Sequence, residues 1–161
     1  MKPIIVVECD NDELLLLTLG VPRKRVQHEG NRDEVVKYIL KHPAGHYMGM
    51  VDEDPNTPRS TKREQFIKRS TVSDMHVEAL GKRELLVLRP FLEGWLCKAV
   101  HAAGGRLVKL DKGLSDDPKE LHRLLSPRGD ARMKKIVGFL ETNSSKHLKE
   151  LRVHLGLAPP S

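Results

Sequence analysis

Pro3-Ile4-Ile5-Val6-Val7-Glu8 and, further along, Gly49-Met50-Val51-Asp52-Glu53-Asp54 are the two stretches on which the reading of the fold turns. The first is a continuous β-branched apolar run without alternation. Such a run is buried on both faces, as in the middle of a parallel sheet. His46 to Val51 is a second strand of the same kind. Between them, Asp10 or Asn11 can cap a helix that carries Leu14 to Leu17, ends near Gly20 and is broken by Val21-Pro22. Lys24 to His28 reads as a short edge strand. Asn31 caps a further helix, with Val35, Val36, Ile39 and Leu40 at helical spacing, that stops before Pro43.

Strands that alternate with helices define an α/β fold with a mostly parallel sheet flanked by helices. Downstream, Asn56 to Ser60 reads as a loop and Thr61 to Lys68 as a short basic helix. Met75 to Leu80 and Glu84 to Leu88 read as strands separated by Gly81-Lys82. Pro90 opens a helix that runs through Trp95 and Val100 to Gly104-Gly105. Leu107 to Leu110 is expected as one more strand, and 118–125, 130–141 and 145–155 as helices. The expected organisation is an α/β domain over 1–110 with a helical C-terminal extension, 111–161, packed on it.

Composition narrows the function classes. The 161 residues carry 28 Lys plus Arg against 22 Asp plus Glu, a net charge of +6. The imbalance is uneven: residues 1–58 hold 7 basic and 10 acidic residues, net −3, and residues 59–161 hold 21 and 12, net +9. A basic surface favours polyanionic partners, nucleic acid first, with a merely solvated surface as the alternative. Aromatics, at 4 %, are too few for a base-stacking platform of the RRM or OB type. Cys9 and Cys97 do not make a disulfide framework, and a reducing, cytoplasmic setting is expected. No apolar run reaches the length of a membrane span, and Glu8 follows the first apolar run too soon for a signal peptide.

The acids after the two strands carry the chemistry. Functional side chains of parallel sheets gather at the carboxyl ends of the strands. Glu8, at the end of a buried strand, loses hydration and needs a partner or a cation. Asp52 and Asp54, two apart, point to one side of an extended backbone. Two carboxylates held together repel unless a cation bridges them or one takes up a proton. Mg²⁺ suits sparse, hard oxygen ligands of this kind. A solvated acidic turn before Pro55 is the alternative for the D-x-D pair alone.

Val6-Val7-Glu8 followed by a helix, and then Gly49-Met50-Val51-Asp52-Glu53-Asp54, resemble the two signatures of the Toprim domain of topoisomerases, primases, recombination proteins and OLD-type nucleases. Cys9 stands where that family usually has glycine. Pro90-Phe91-Leu92-Glu93-Gly94-Trp95-Leu96 is similar to the F-E-x-W-L stretch of small stand-alone Toprim-like proteins of the RloB type, found among bacterial defence systems. The resemblance, over roughly residues 3–105, implies a Toprim-like (Rossmann-like) sheet and Mg²⁺- or Mn²⁺-dependent phosphodiester chemistry, in phage defence or DNA repair. It implies Glu8, Asp52 and Asp54 as catalytic residues, with Glu93 completing the metal shell. A non-catalytic binding or regulatory subunit working beside a separate ATPase is the competing reading, and a homo-oligomer is compatible with both. Strand passage is not expected, since Tyr38 and Tyr47 are the only tyrosines and both lie on core-facing elements.

Arg59, Lys62, Arg63, Lys68 and Arg69 follow the acidic motif and are expected to carry a phosphate backbone toward the metal. A second basic group, Arg128, Arg132, Lys134, Lys135, Lys146, Lys149 and Arg152, reads more simply as solvated helix faces. Cys97 and His101 share a helix face without a second pair to complete a zinc site. His147 and His154 read as a surface pair, and Trp95 as a core anchor. No G-x-x-x-x-G-K-[ST] loop is present, so ATP hydrolysis is not expected of this chain.

Overall fold

The computed structural model describes residues 2–53, 58, 60–125 and 130–158. Six strands form one sheet: β1 (Ile4–Val7), β2 (Val26–His28), β3 (Tyr47–Asp52), β4 (Ile67–Val72), β5 (Met75–Leu80) and β6 (Arg83–Leu88). Their spatial order is β2-β1-β3-β6-β5-β4. β2, β1, β3 and β6 run parallel, while β5 is antiparallel to both of its neighbours. The sheet is thus mostly parallel, flanked by helices on both faces.

Alternation within β1 assigns its side chains to two cores. Ile5 and Val7 join a large cluster with Leu15 and Leu16 of α1 (Asp10–Thr18). Val6 joins a smaller one with Val35, Val36 and Ile39 of α2 (Arg32–Lys41). Both faces of β1 are therefore covered, which is why its sequence is uninterruptedly apolar. Asn31 caps α2 as expected, its side chain accepting from the Glu34 amide. α2 lies so close to β3 that a Cβ on Gly49 would meet Leu85 Cδ2 at 2.5 Å and Ile39 Cδ1 at 2.6 Å. A side chain there would force the ends of Leu85, Ile39 and Val35 to shift.

The large cluster is closed by helices from the second half of the chain: α4 (Leu92–Ala102), α6 (Pro118–Leu125), α7 (Asp130–Thr142) and α8 (Lys146–Leu155). Trp95, Leu121, Met133, Ile136, Leu140, Leu148 and Leu151 are all buried in the same cluster as Ile5 and Val7. Trp95 is fully buried, and its Nε1 donates to the Ser73 carbonyl at 2.9 Å.

Three local expectations are corrected. The helix expected over Thr61 to Lys68 is only α3 (Thr61–Glu64), and the chain then enters edge strand β4. A two-residue turn, Ser73 (φ 47°) and Asp74 (φ 58°), folds β4 onto β5; two positive φ values match the twist of a hairpin. The strand expected over Leu107 to Leu110 is a helical turn, α5, because the Asp116 carboxylate accepts from the Leu107 amide at 2.8 Å. His147 is buried rather than superficial, with Nε2 2.8 Å from Asp74 Oδ2, tying α8 to the hairpin turn. No described helix is long and apolar enough to cross a membrane.

Candidate metal centre

The strand order places a crevice where the connections diverge: β1 leads through α1 to β2 on one side, whereas β3 neighbours β6 on the other. Ligand sites of open parallel sheets lie at such switch points, beyond the carboxyl ends of the strands. Glu8 follows β1 there, and Asp52 is the last residue of β3. Glu8 Oε1 accepts the Asp52 backbone N–H at 2.8 Å, so one acid is held by the strand that carries the other. Asp52 Oδ1 accepts the Leu92 N–H at 3.0 Å, from the first residue of α4.

A third acid, Asp12, completes the group. Ligand oxygens of Glu8, Asp12 and Asp52 all lie within 4.8 Å of one another. Asp12 is in the first turn of α1, whose N-cap is Cys9 rather than Asp10 or Asn11. From this third helical position an acid can reach back to the N-cap amide. Asp12 is 0 % exposed and neither carboxylate oxygen completes a hydrogen bond of good geometry, although the Cys9 amide and thiol lie near enough to favour its ionised form. A buried, unpartnered carboxylate is costly unless it is protonated or held by a cation.

Electrostatics follow from this crowding. Burial first, and then the charges of Glu8 and Glu93, set the Asp12 carboxyl well above its ordinary range, opposed by the nearby Cys9 thiol and amide. Asp52 is raised by burial and by the charges of Asp12, Glu8 and Glu93. Burial also raises Glu8, opposed by the Asp52 amide and by the cations Arg32 and Arg63. Burial beside Asp12 likewise holds the Cys9 thiol protonated, far from nucleophilic thiolate chemistry.

Glu8 and Asp52 line a cleft of about 440 Å³, together with Cys9, Arg32, Phe91, Glu93 and His122, whereas Asp12 is buried and does not line it. Glu93 lies beside the cluster and is bound to protein groups, its Oε1 taking Asn11 Nδ2 at 3.2 Å and His122 Nδ1 at 2.7 Å. Arg32, at the start of α2, donates to the Asp52 carbonyl at 3.3 Å. The fit to a divalent ion is good in ligand type and span. Hard cations take carboxylate oxygens at about 2.0–2.6 Å, so oxygens spaced this way are drawn together by small side-chain adjustments.

Of the residues expected from sequence, the structure brings Glu8 and Asp52 together and sets Glu93 at the rim. Asp54 and Arg59 lie outside the described residues. Lys62, Lys68 and Arg69 are exposed on α3 and β4. Arg63 departs from its expected role: it is 0 % exposed, and its Nη2 pairs with Glu53 at 3.3 Å and Glu78 at 3.2 Å. Its charge serves an interior ion group and the field on Glu8, not a surface phosphate. In the second basic group, Arg132 donates to the Leu124 carbonyl and Arg152 to Glu141, while Arg128 lies outside the described residues. Asp12, Arg32, Asn11 and His122 were not singled out from sequence. For Asp12 the available signal was its place four residues after Glu8, in the first turn of the following helix. No family model, curated protein or solved structure matches the chain.

Proposed function

We propose that the chain is a Toprim-like, Mg²⁺- or Mn²⁺-dependent nuclease that hydrolyses phosphodiester bonds of nucleic acid. One observation carries this reading: the Asp12 carboxylate, fully buried and without a hydrogen bond of good geometry, converges with Glu8 and Asp52 at the switch point of the sheet. Three acids so arranged have little purpose without a cation, and their hardness selects Mg²⁺ or Mn²⁺ over softer ions. Cys9 fits where a glycine is usual, since its φ of −141° is ordinary extended backbone.

Glu8, Asp12 and Asp52 would hold the metal, which supplies charge neutralisation at the attacked phosphate and a more acidic bound water. The chain's own groups do the rest. Glu8 lines the cleft and, where it leaves the metal to Asp12 and Asp52, is placed to take a proton from the attacking water. The Asp52 amide fixes the orientation of Glu8, and the Leu92 amide fixes Asp52. Arg32 brings a positive charge to the same cleft for an anionic substrate. Exposed Lys62, Lys68 and Arg69 add sequence-independent attraction for the phosphate backbone.

Supercoiled plasmid incubated with Mn²⁺ tests this directly. Nicking by the wild-type chain, lost by at least a hundredfold in Asp52→Ala and Glu8→Ala variants that keep their circular dichroism spectra, is the expected result. Metal binding without nicking of DNA or RNA would favour the regulatory-subunit reading instead.

A further inference from the structure

A second hollow adjoins the acidic cleft. It encloses about 490 Å³, is walled mainly by Pro90, Phe91, Pro118 and Lys119, and shares Phe91, Glu93 and His122 with the cleft. Phe91 is the N-cap residue of α4 and 38 % exposed, the one exposed Phe, Tyr or Trp among the described residues. The acids in the wall are already committed. Asp117 Oδ1 accepts the Lys119 amide at 3.0 Å at the start of α6. Glu93 Oε1 is taken by Asn11 and His122. The hollow thus offers two proline rings and a phenyl ring, with one oxygen of each wall carboxylate already bonded within the protein.

An acidic, metal-suited cleft joined to an apolar, ring-lined hollow describes the two ends of a nucleotide: an anionic phosphate and a flat base. A peptide side chain would satisfy the hollow alone and gain nothing from the shared wall. We propose that the hollow receives one unpaired base of the nucleic acid whose phosphate lies at the Glu8–Asp12–Asp52 cluster, with the base stacked on Phe91. This rests on the nuclease reading and narrows it to single-stranded segments, strand ends or bases turned out of a duplex. A base paired within a duplex keeps both its faces covered by neighbours and cannot occupy such a hollow. One ring for one base is also what a chain so poor in aromatics can supply.

The test is fluorescence anisotropy with a labelled short single-stranded oligonucleotide in Ca²⁺, on the full chain and on Phe91→Ala and Phe91→Tyr, beside a Mn²⁺ thermal shift of each. Stacking on one aromatic side chain corresponds to roughly a tenfold loss of affinity when the ring is removed. The expected result is that loss in Phe91→Ala, recovery in Phe91→Tyr, weaker binding of the matching duplex and an unchanged Mn²⁺ shift. Equal affinity in Phe91→Ala, or no binding of the oligonucleotide, overturns the inference while a Mn²⁺ shift leaves the metal centre standing. A change in sedimentation of Phe91→Ala without loss of oligonucleotide affinity also overturns it, in favour of a second copy on this face. Phe91-dependent binding with no Mn²⁺ shift keeps the base site and removes the metal centre.

Discussion

Asp12 holds more of the account than any other residue. Its carboxylate is fully buried, completes no hydrogen bond of good geometry and faces two further acids. The pKa values of Asp12, Asp52 and Glu8 are all raised, with burial the largest cause in each. A group whose folded pKa exceeds its unfolded value contributes stability that is complete below the unfolded pKa and is lost as pH rises through the folded one. The metal-free chain is therefore expected to lose stability from about pH 4 upward, across the neutral range. Saturating Mg²⁺, which favours the ionised carboxylates, is expected to flatten that slope. Each unit of pKa separation corresponds to about 1.4 kcal/mol, so Asp12→Asn should raise the Tm of the metal-free chain by several degrees at pH 8 and little at pH 5. Scanning calorimetry across pH checks both signs; a wild-type Tm that rises steadily from pH 5 to pH 8 without metal contradicts them.

At the scale of elements, α2 packs on β3, the strand that ends in Asp52. Gly49 lets α2 approach the strand, and a methyl group there would collide with Leu85, Ile39 and Val35. Gly49→Ala is expected to cost about 1–3 kcal/mol in urea unfolding through overpacking; a loss below about 0.5 kcal/mol, the size of an ordinary surface substitution, would show that the layers can part freely. The parallel half of the sheet was legible in sequence because β1 and β3 declare double-sided burial through uninterrupted apolar runs, and Asn31 declares the start of α2. β4 was not, since Ile67-Lys68-Arg69-Ser70 is an exposed edge whose residues bury nothing, and its turn is Ser-Asp rather than Asn-Gly. α5 was not, because its helical turn depends on a carboxylate, Asp116, that reaches it from beyond the segment. Glu8 and Asp52 were legible as acids that end buried strands. Asp12 was not, because an acid in the first turn of a helix is ordinary, and only the tertiary structure reveals that its carboxylate faces inward.

Across the whole molecule, the helices after Leu92 do more than decorate the sheet. Leu121, Met133 and Leu148 share one core with Ile5 and Leu86, and α4 supplies both the Leu92 amide that holds Asp52 and the Phe91 ring at the mouth of the cleft. Arg32, from the N-terminal part of the chain, is the one Lys or Arg among the residues lining the acidic cleft. Calorimetric titration of the full chain with Mn²⁺, in two buffers of different ionisation enthalpy, tests the central claim most directly. Binding is expected to release protons, since raised carboxyls must ionise to bind, and to weaken at least tenfold in Asp12→Asn. Absence of binding, or equal affinity and proton release in Asp12→Asn, would contradict it.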